Sequence, residues 1–137
     1  QTCALPIYVH ESAKKDYENI ASKYWPGALT IVIPASEKQT VHLTSNDLTI
    51  GLRIPNSNIA QSLLRETGPL LTSSANISGF KGSITAEGIA LDFPSVKILG
   101  PIPWGKSSGK ASTIIFWKNS GNWKLIREGE VLVRELY

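Results

Sequence analysis

Leu29-Thr30-Ile31-Val32-Ile33 is a run of mostly β-branched side chains between Pro26-Gly27, which turns the chain, and Pro34. Side chains that are stiff at χ1 fit a pleated surface better than a helix. Residues 29–33 therefore predict a strand, and Pro34, which has no N–H to donate, closes it. Immediately upstream the period changes. Ala13, Tyr17, Ile20, Ala21 and Tyr24 recur on one helical face, so residues 11–24 predict a helix, with Ser12 as its N-cap.

The same alternation continues to the end. Residues 36–47 are polar and read as a loop. Residues 48–52 predict a second strand. Residues 56–67 predict a helix capped by Ser57, with Ile59, Leu63 and Leu64 on one face and Gly68 as its stop. Residues 69–72 predict a short strand that runs into the polar turn 73–82. Residues 85–91 predict a short helix, 96–99 a strand and 100–110 a flexible loop. Residues 112–117 and 123–126 predict two strands joined through Asn119-Ser120-Gly121-Asn122, a hairpin signal. Residues 131–133 predict a last short strand. Residues 1–7 fit no element. No internal repeat or heptad seam is present. Interleaved strands and helices define an α/β or α+β domain with a mixed sheet.

Composition narrows the functional classes. The chain has 137 residues, 42% apolar and 18% charged, which suits one globular domain and excludes a disordered tail. No apolar run approaches the ~20 residues that span a bilayer, so no membrane partner is expected. One cysteine, Cys3, forms no internal disulfide and leaves no cysteine-based zinc site; a cytoplasmic location is the default expectation. His10 and His42 have no metal-ligating residues at suitable spacing, so no metal site is predicted. The net charge of +3 is uneven: residues 101–137 hold 6 basic and 3 acidic groups. That excess suits a phosphate-bearing ligand, and equally a solvated basic face.

Three features could carry chemistry. Ser73-Ser74-Ala75-Asn76-Ile77-Ser78-Gly79 follows a predicted strand with small hydroxyl residues and exposed backbone N–H groups, a pattern able to cradle anionic oxygens; it is also an ordinary Asn/Ser/Gly turn. Gly105-Lys106-Ser107 lacks the first Walker glycine, since Pro101 stands five residues before Lys106, so a triphosphatase loop is not indicated. Arg53 and Arg127 end predicted strands and Arg134 lies near the terminus. Arginine grips carboxylate or phosphate bidentately, and strand ends are where α/β sheets place ligands. No nucleophile elbow or carboxylate pair is present, and no catalytic residue is singled out.

Five motifs then stand in order: Tyr24-Trp25-Pro26-Gly27-Ala28-Leu29-Thr30, Gly51-Leu52-Arg53-Ile54-Pro55, Ser74-Ala75-Asn76-Ile77-Ser78-Gly79, Ser112-Thr113-Ile114-Ile115 and Leu125-Ile126-Arg127-Glu128-Gly129. Together they resemble the YrdC/TsaC family, the threonylcarbamoyl-AMP synthases. The resemblance implies a twisted mixed sheet flanked by helices around a concave cavity. It implies that L-threonine, bicarbonate and ATP give threonylcarbamoyl-adenylate and pyrophosphate, with Mg2+ as the metal. The product would pass to a threonylcarbamoyl-transferase partner for tRNA modification, with a tRNA contact conceivable on the synthase itself. Carried over motif by motif, Thr49, Ser74, Ser83 and Arg127 contact ATP, and Asn76 helps hold its phosphates. Arg53, Thr72 and Ser112 contact threonine. Catalysis would be positioning and electrostatics, in keeping with the lack of an obvious general base.

The same resemblance reads residues 9–137 as the domain without its N-terminal third; residues 1–8, which begin with a short segment that fits no element and holds Pro6 and the only cysteine, are expected to be a leader foreign to it. Two other readings stay open: an RNA-binding module of this fold, and a carbamoyl-adenylate-forming domain of the hydrogenase-maturation type. The small net charge weighs against the first. The lack of flanking zinc-finger or acylphosphatase-like sequence weighs against the second.

Overall fold

The computed structural model describes residues 5–37, 48–99 and 108–133. Arg134, Cys3, His42, most of the predicted loop 36–47 and residues 100–107 of the predicted loop 100–110 lie outside them. The chain divides into two compact units, residues 1–66 with 111–137, and residues 67–110.

The first unit is built on a four-stranded mixed sheet. Its strands are β1 (Leu29–Pro34), β2 (Thr49–Leu52), β3 (Thr113–Asn119) and β4 (Asn122–Arg127), in the order β2-β1-β3-β4. β1 runs antiparallel to β2 and parallel to β3, and β3 and β4 form an antiparallel hairpin. The hairpin turns at Ser120-Gly121, where Gly121 has φ +70°, a conformation glycine adopts at little steric cost.

The period-two pattern of β1 sorts the sheet into two faces. Leu29, Ile31 and Ile33 are fully buried, whereas Thr30, Val32 and Pro34 are half-buried. Register carries this across the sheet. Leu52 and Ile50 lie opposite Ile31 and Ile33, and Ile115 lies opposite Ile31 on the other side. Helix α1 (Glu11–Tyr24) joins this buried face to form the core with Ala13, Tyr17, Ile20 and Ala21. Tyr17 meets Trp25 edge-on at 5.7 Å between ring centroids. Asp16 adds a polar tie to the hairpin: its Oδ2 accepts from the Trp117 indole and from the Gly121 N–H, each at 2.8 Å. The second face carries Thr30, Val32, Thr49, Gly51, Ile114 and Phe116, none of them fully buried.

Helix α2 (Asn58–Thr67) follows β2, and Gly68 closes it at φ +74°. Ile59 and Leu63 share a face as expected, yet each is 36% exposed and no residue of α2 is buried. In the second unit Thr85 caps helix α3 (Ala86–Asp92) by accepting from the Gly88 N–H, and Ala86 and Ile89 are buried.

Several expectations need correction. The cap of α1 is His10, whose Nδ1 accepts from the Ser12 N–H. Residues 69–72, 96–99 and 131–133 form no strand among the described residues. A strand exists only where a ladder partner exists, and Leu71, 97% exposed, has none. Residues 131–133 are tied instead through the Thr113 side chain. The residues before Val9 do form an element, the short 3-10 turn Leu5–Tyr8. Ser36 holds it, donating from its hydroxyl to the Ile7 carbonyl and from its N–H to the Tyr8 carbonyl.

Candidate functional site

Strand direction gathers one set of functional side chains. β1 and β3 are parallel, so they begin at the same edge of the sheet. β2 and β4 run against their neighbours, so they end there. Arg53 follows the end of β2, Ser112 precedes β3, and Arg127 is the last residue of β4. Residues 27–30 enter β1 at the same edge.

The loops at this edge are locked by hydrogen bonds to backbone carbonyls. The Gly27 N–H donates to the Ile54 carbonyl at 2.8 Å, and Arg53 Nε donates to the Gly27 carbonyl at 2.9 Å. A Cβ at residue 27 would overlap the Tyr24 carbonyl, so only glycine fits this entry turn. The Trp25-Pro26 peptide before it is cis. At the other side a Cβ on Gly129 would overlap the Ala111 carbonyl and the Thr113 amide. The Glu130 N–H donates to that carbonyl at 3.0 Å.

Arg127 is fixed against Ser112. Its Nε and Nη2 donate to the Ser112 carbonyl at 3.0 and 2.8 Å, and Nη2 also donates to Ser112 Oγ at 2.9 Å. Ser112 Oγ lies 3.0 Å from Thr30 Oγ1. The Nη1 end of the guanidinium makes no hydrogen bond among the described residues. Partial burial, the largest influence, lowers the affinity of Arg53 for its proton; Glu130 opposes this and Arg127 adds to it. An arginine stays charged at any working pH, so this edge carries two cations with Glu130 inside the same field.

The structure therefore brings Arg53, Ser112 and Arg127 of the sequence-derived set to one sheet edge. Thr49 opens β2 opposite Pro34, about 13 Å along the strand from Arg53 at ~3.3 Å per residue. Thr72, Ser74, Asn76 and Ser83 belong to the second unit. There Thr72 and Ser74 are exposed. Asn76 Nδ2 donates to the carbonyls of Ile77 and Phe80, each at 3.2 Å, and so closes the polar turn. The Ser83 side chain lies over Gly88, where a Cβ would collide with its Oγ. Sequence reasoning did not assign roles to Thr30 and Glu130. The alternation of β1 was the available signal for Thr30: a polar residue between Leu29 and Ile31 points away from the core.

Comparison with known proteins identifies the family and the fold. The Sua5/YciO/YrdC family, described as telomere recombination, matches residues 4–129, and the chain belongs to that family. Threonylcarbamoyl-AMP synthase of Bacillus subtilis is 31% identical over 106 residues, 75% of this chain and 30% of that protein. Threonylcarbamoyl-AMP synthase of Yersinia pestis is 38% identical over 98 residues, 69% of this chain and 52% of that protein. The crystal structure of Pyrococcus abyssi Sua5 complexed with L-threonine superimposes with a TM-score of 0.77 at 29% identity, covering 94% of this chain and 38% of that one. Escherichia coli YciO shares the fold, with a TM-score of 0.68 at 23% identity over 95% of this chain and 62% of that one. The chain spans 30% and 24% of the Bacillus subtilis and Pyrococcus abyssi synthases.

Proposed function

We propose that this chain carries the substrate-binding sheet of a threonylcarbamoyl-AMP synthase. The observation that carries the reading is the convergence of Arg53, Arg127 and the Thr30–Ser112 hydroxyl pair at one sheet edge. Two guanidinium groups with neutral hydroxyl donors suit a ligand set made of a carboxylate and phosphates. The relatives named for this activity, and the one solved with L-threonine, support the reading.

In the proposed reaction the threonine amine and bicarbonate give a carbamate with loss of water. A carbamate oxygen then attacks the α-phosphorus of ATP and pyrophosphate leaves. Arg53 would hold the threonine carboxylate. Arg127, anchored by Ser112, would offset the charge that develops on the α-phosphoryl oxygens. Ser112 and Thr72 would contact threonine. Thr49, Ser74, Asn76 and Ser83 would contact the nucleotide. Magnesium enters as the counter-ion of the nucleotide, since Mg2+ is ordinarily held by one or two carboxylates together with substrate phosphates. No cluster of three His, Cys, Asp or Glu is present among the described residues.

The product is a mixed carbamic–phosphoric anhydride, so a transferase partner would receive it directly and modify tRNA. The cytoplasm supplies all three substrates and the tRNA. No helix among the described residues is long and apolar enough to cross a membrane.

The test is pyrophosphate release from ATP with L-threonine and bicarbonate supplied together or singly. Release that needs both supports the reading. Release that ignores threonine contradicts it.

A further inference from the structure

Two hydroxyl groups and one guanidinium meet at the start of β1 and β3, and their hydrogens can be counted. Arg127 Nη2 donates to Ser112 Oγ at 2.9 Å. Thr30 Oγ1 lies 3.0 Å from the same oxygen, 82 residues away in sequence. The two hydroxyls own two hydrogens and share one bond, so one hydrogen is left over. Neither hydroxyl has another partner among the described residues.

The chemistry sets the direction. A hydroxyl that accepts from a cation becomes a better donor, because hydrogen bonds in a chain polarise one another. Ser112 therefore donates to Thr30, and the spare hydrogen sits on Thr30 Oγ1. Exposure agrees: Ser112 is buried at 9%, whereas Thr30 is only half-buried and lies on the sheet face opposite the core. The neighbouring strand leaves Thr30 room. Gly51 stands beside it on β2, and a Cβ at residue 51 would come within 3.6 Å of Thr30 Cγ2 and 3.8 Å of Val32 Cγ2.

We infer that Thr30 is the ligand-facing end of a donor relay, Arg127 to Ser112 to Thr30, and that its hydroxyl binds an oxygen of the threonine carboxylate beside Arg53. A carboxylate oxygen only accepts, so it matches the single hydrogen the relay presents. The charge of Arg127 reaches the amino-acid substrate through two neutral hydroxyls, without a second ion pair on the carboxylate. This inference deepens the synthase reading and rests on it.

The experiment is calorimetric titration of L-threonine and, separately, of ATP into the wild-type chain and its Thr30→Val, Thr30→Ser and Ser112→Ala variants. Valine keeps the β-branched shape of threonine and removes the hydroxyl. Losing a hydrogen bond to a charged group predicts L-threonine affinity reduced about tenfold or more in Thr30→Val, with ATP affinity within twofold of wild type. Thr30→Ser restores L-threonine binding to within about threefold. Ser112→Ala also lowers L-threonine affinity, since Thr30 keeps its hydrogen but loses its polarising donor and the substrate loses its contact with Ser112. A structural role alone would lower both ligands together and would not be rescued by serine. Wild-type L-threonine affinity in Thr30→Val overturns the relay and leaves the synthase reading standing. A wild-type chain that binds neither ligand overturns both.

Discussion

Thr113 and Val131 exchange two hydrogen bonds: the Thr113 hydroxyl donates to the Val131 carbonyl at 2.6 Å and accepts from the Val131 N–H at 3.1 Å. Thr113 is 1% exposed. One side chain thus does for residues 131–133 what a ladder partner would do for a strand, and it places Val133, also 1% exposed, in the core. Thr113→Val keeps the shape and strands a backbone donor and acceptor. Leaving buried polar groups unpaired costs about 1–3 kcal/mol, read as a lower urea midpoint at unchanged slope.

Gly129 is placed by the same junction. Any Cβ there overlaps the backbone of residues 111–113, and backbone yields less readily than a flexible side chain. Gly129→Ala should destabilise by about 1–3 kcal/mol, the usual range for overpacking. It should also weaken ATP binding, because Arg127 is anchored on the Ser112 carbonyl in that segment. Thermal unfolding and ATP titration of one preparation measure both.

Asp16 joins α1 to the hairpin through one carboxylate oxygen shared by the Trp117 indole and the Gly121 N–H. Asp16→Ala removes the acceptor from both donors, and the buried Trp117 indole is the costlier loss. Destabilisation of about 1–3 kcal/mol is expected, with the near-ultraviolet dichroism of Trp117 altered.

Tyr17 carries the pH dependence. Burial, assisted by the negative charge of Glu18, raises its phenol well above the ordinary value of 10.0. The folded chain therefore holds this proton more tightly than the unfolded chain. The resulting stability is fully present below pH 10.0 and is lost as pH rises above it toward the folded value. Tyr17→Phe should flatten the alkaline limb of a denaturation midpoint against pH. An unchanged alkaline limb would contradict the assignment to Tyr17.

Much of the first unit was legible in the residues themselves. The helical spacing of Ala13, Tyr17, Ile20 and Ala21 marked the buried face of α1. The alternation around Thr30 marked β1, and Ser120-Gly121 marked the hairpin. What failed was strand prediction from short apolar runs. Residues 69–72 and 96–99 have strand-like composition, but pairing is a property of two segments and cannot be read from one. The cap of α1 was missed because a histidine ring nitrogen took the place usually held by Ser, Thr, Asp or Asn. At the site, Arg53 and Arg127 were reachable as arginines at strand ends, and Ser112 only through the family resemblance. The bond from Thr30 to Ser112 was not, since strand register alone brings those residues together.

The central claim is that the sheet edge formed by Arg53, Thr30, Ser112 and Arg127 holds threonine next to the nucleotide. The most direct test is calorimetric titration of ATP into the chain with and without saturating L-threonine, repeated on Arg53→Ala. The account predicts that threonine tightens ATP binding, that ATP tightens threonine binding by the same factor, and that Arg53→Ala abolishes this coupling while the chain stays folded, its melting temperature lowered only by the loss of the Arg53–Gly27 hydrogen bond. ATP affinity indifferent to threonine in the wild-type chain, or coupling that survives in Arg53→Ala, would contradict it.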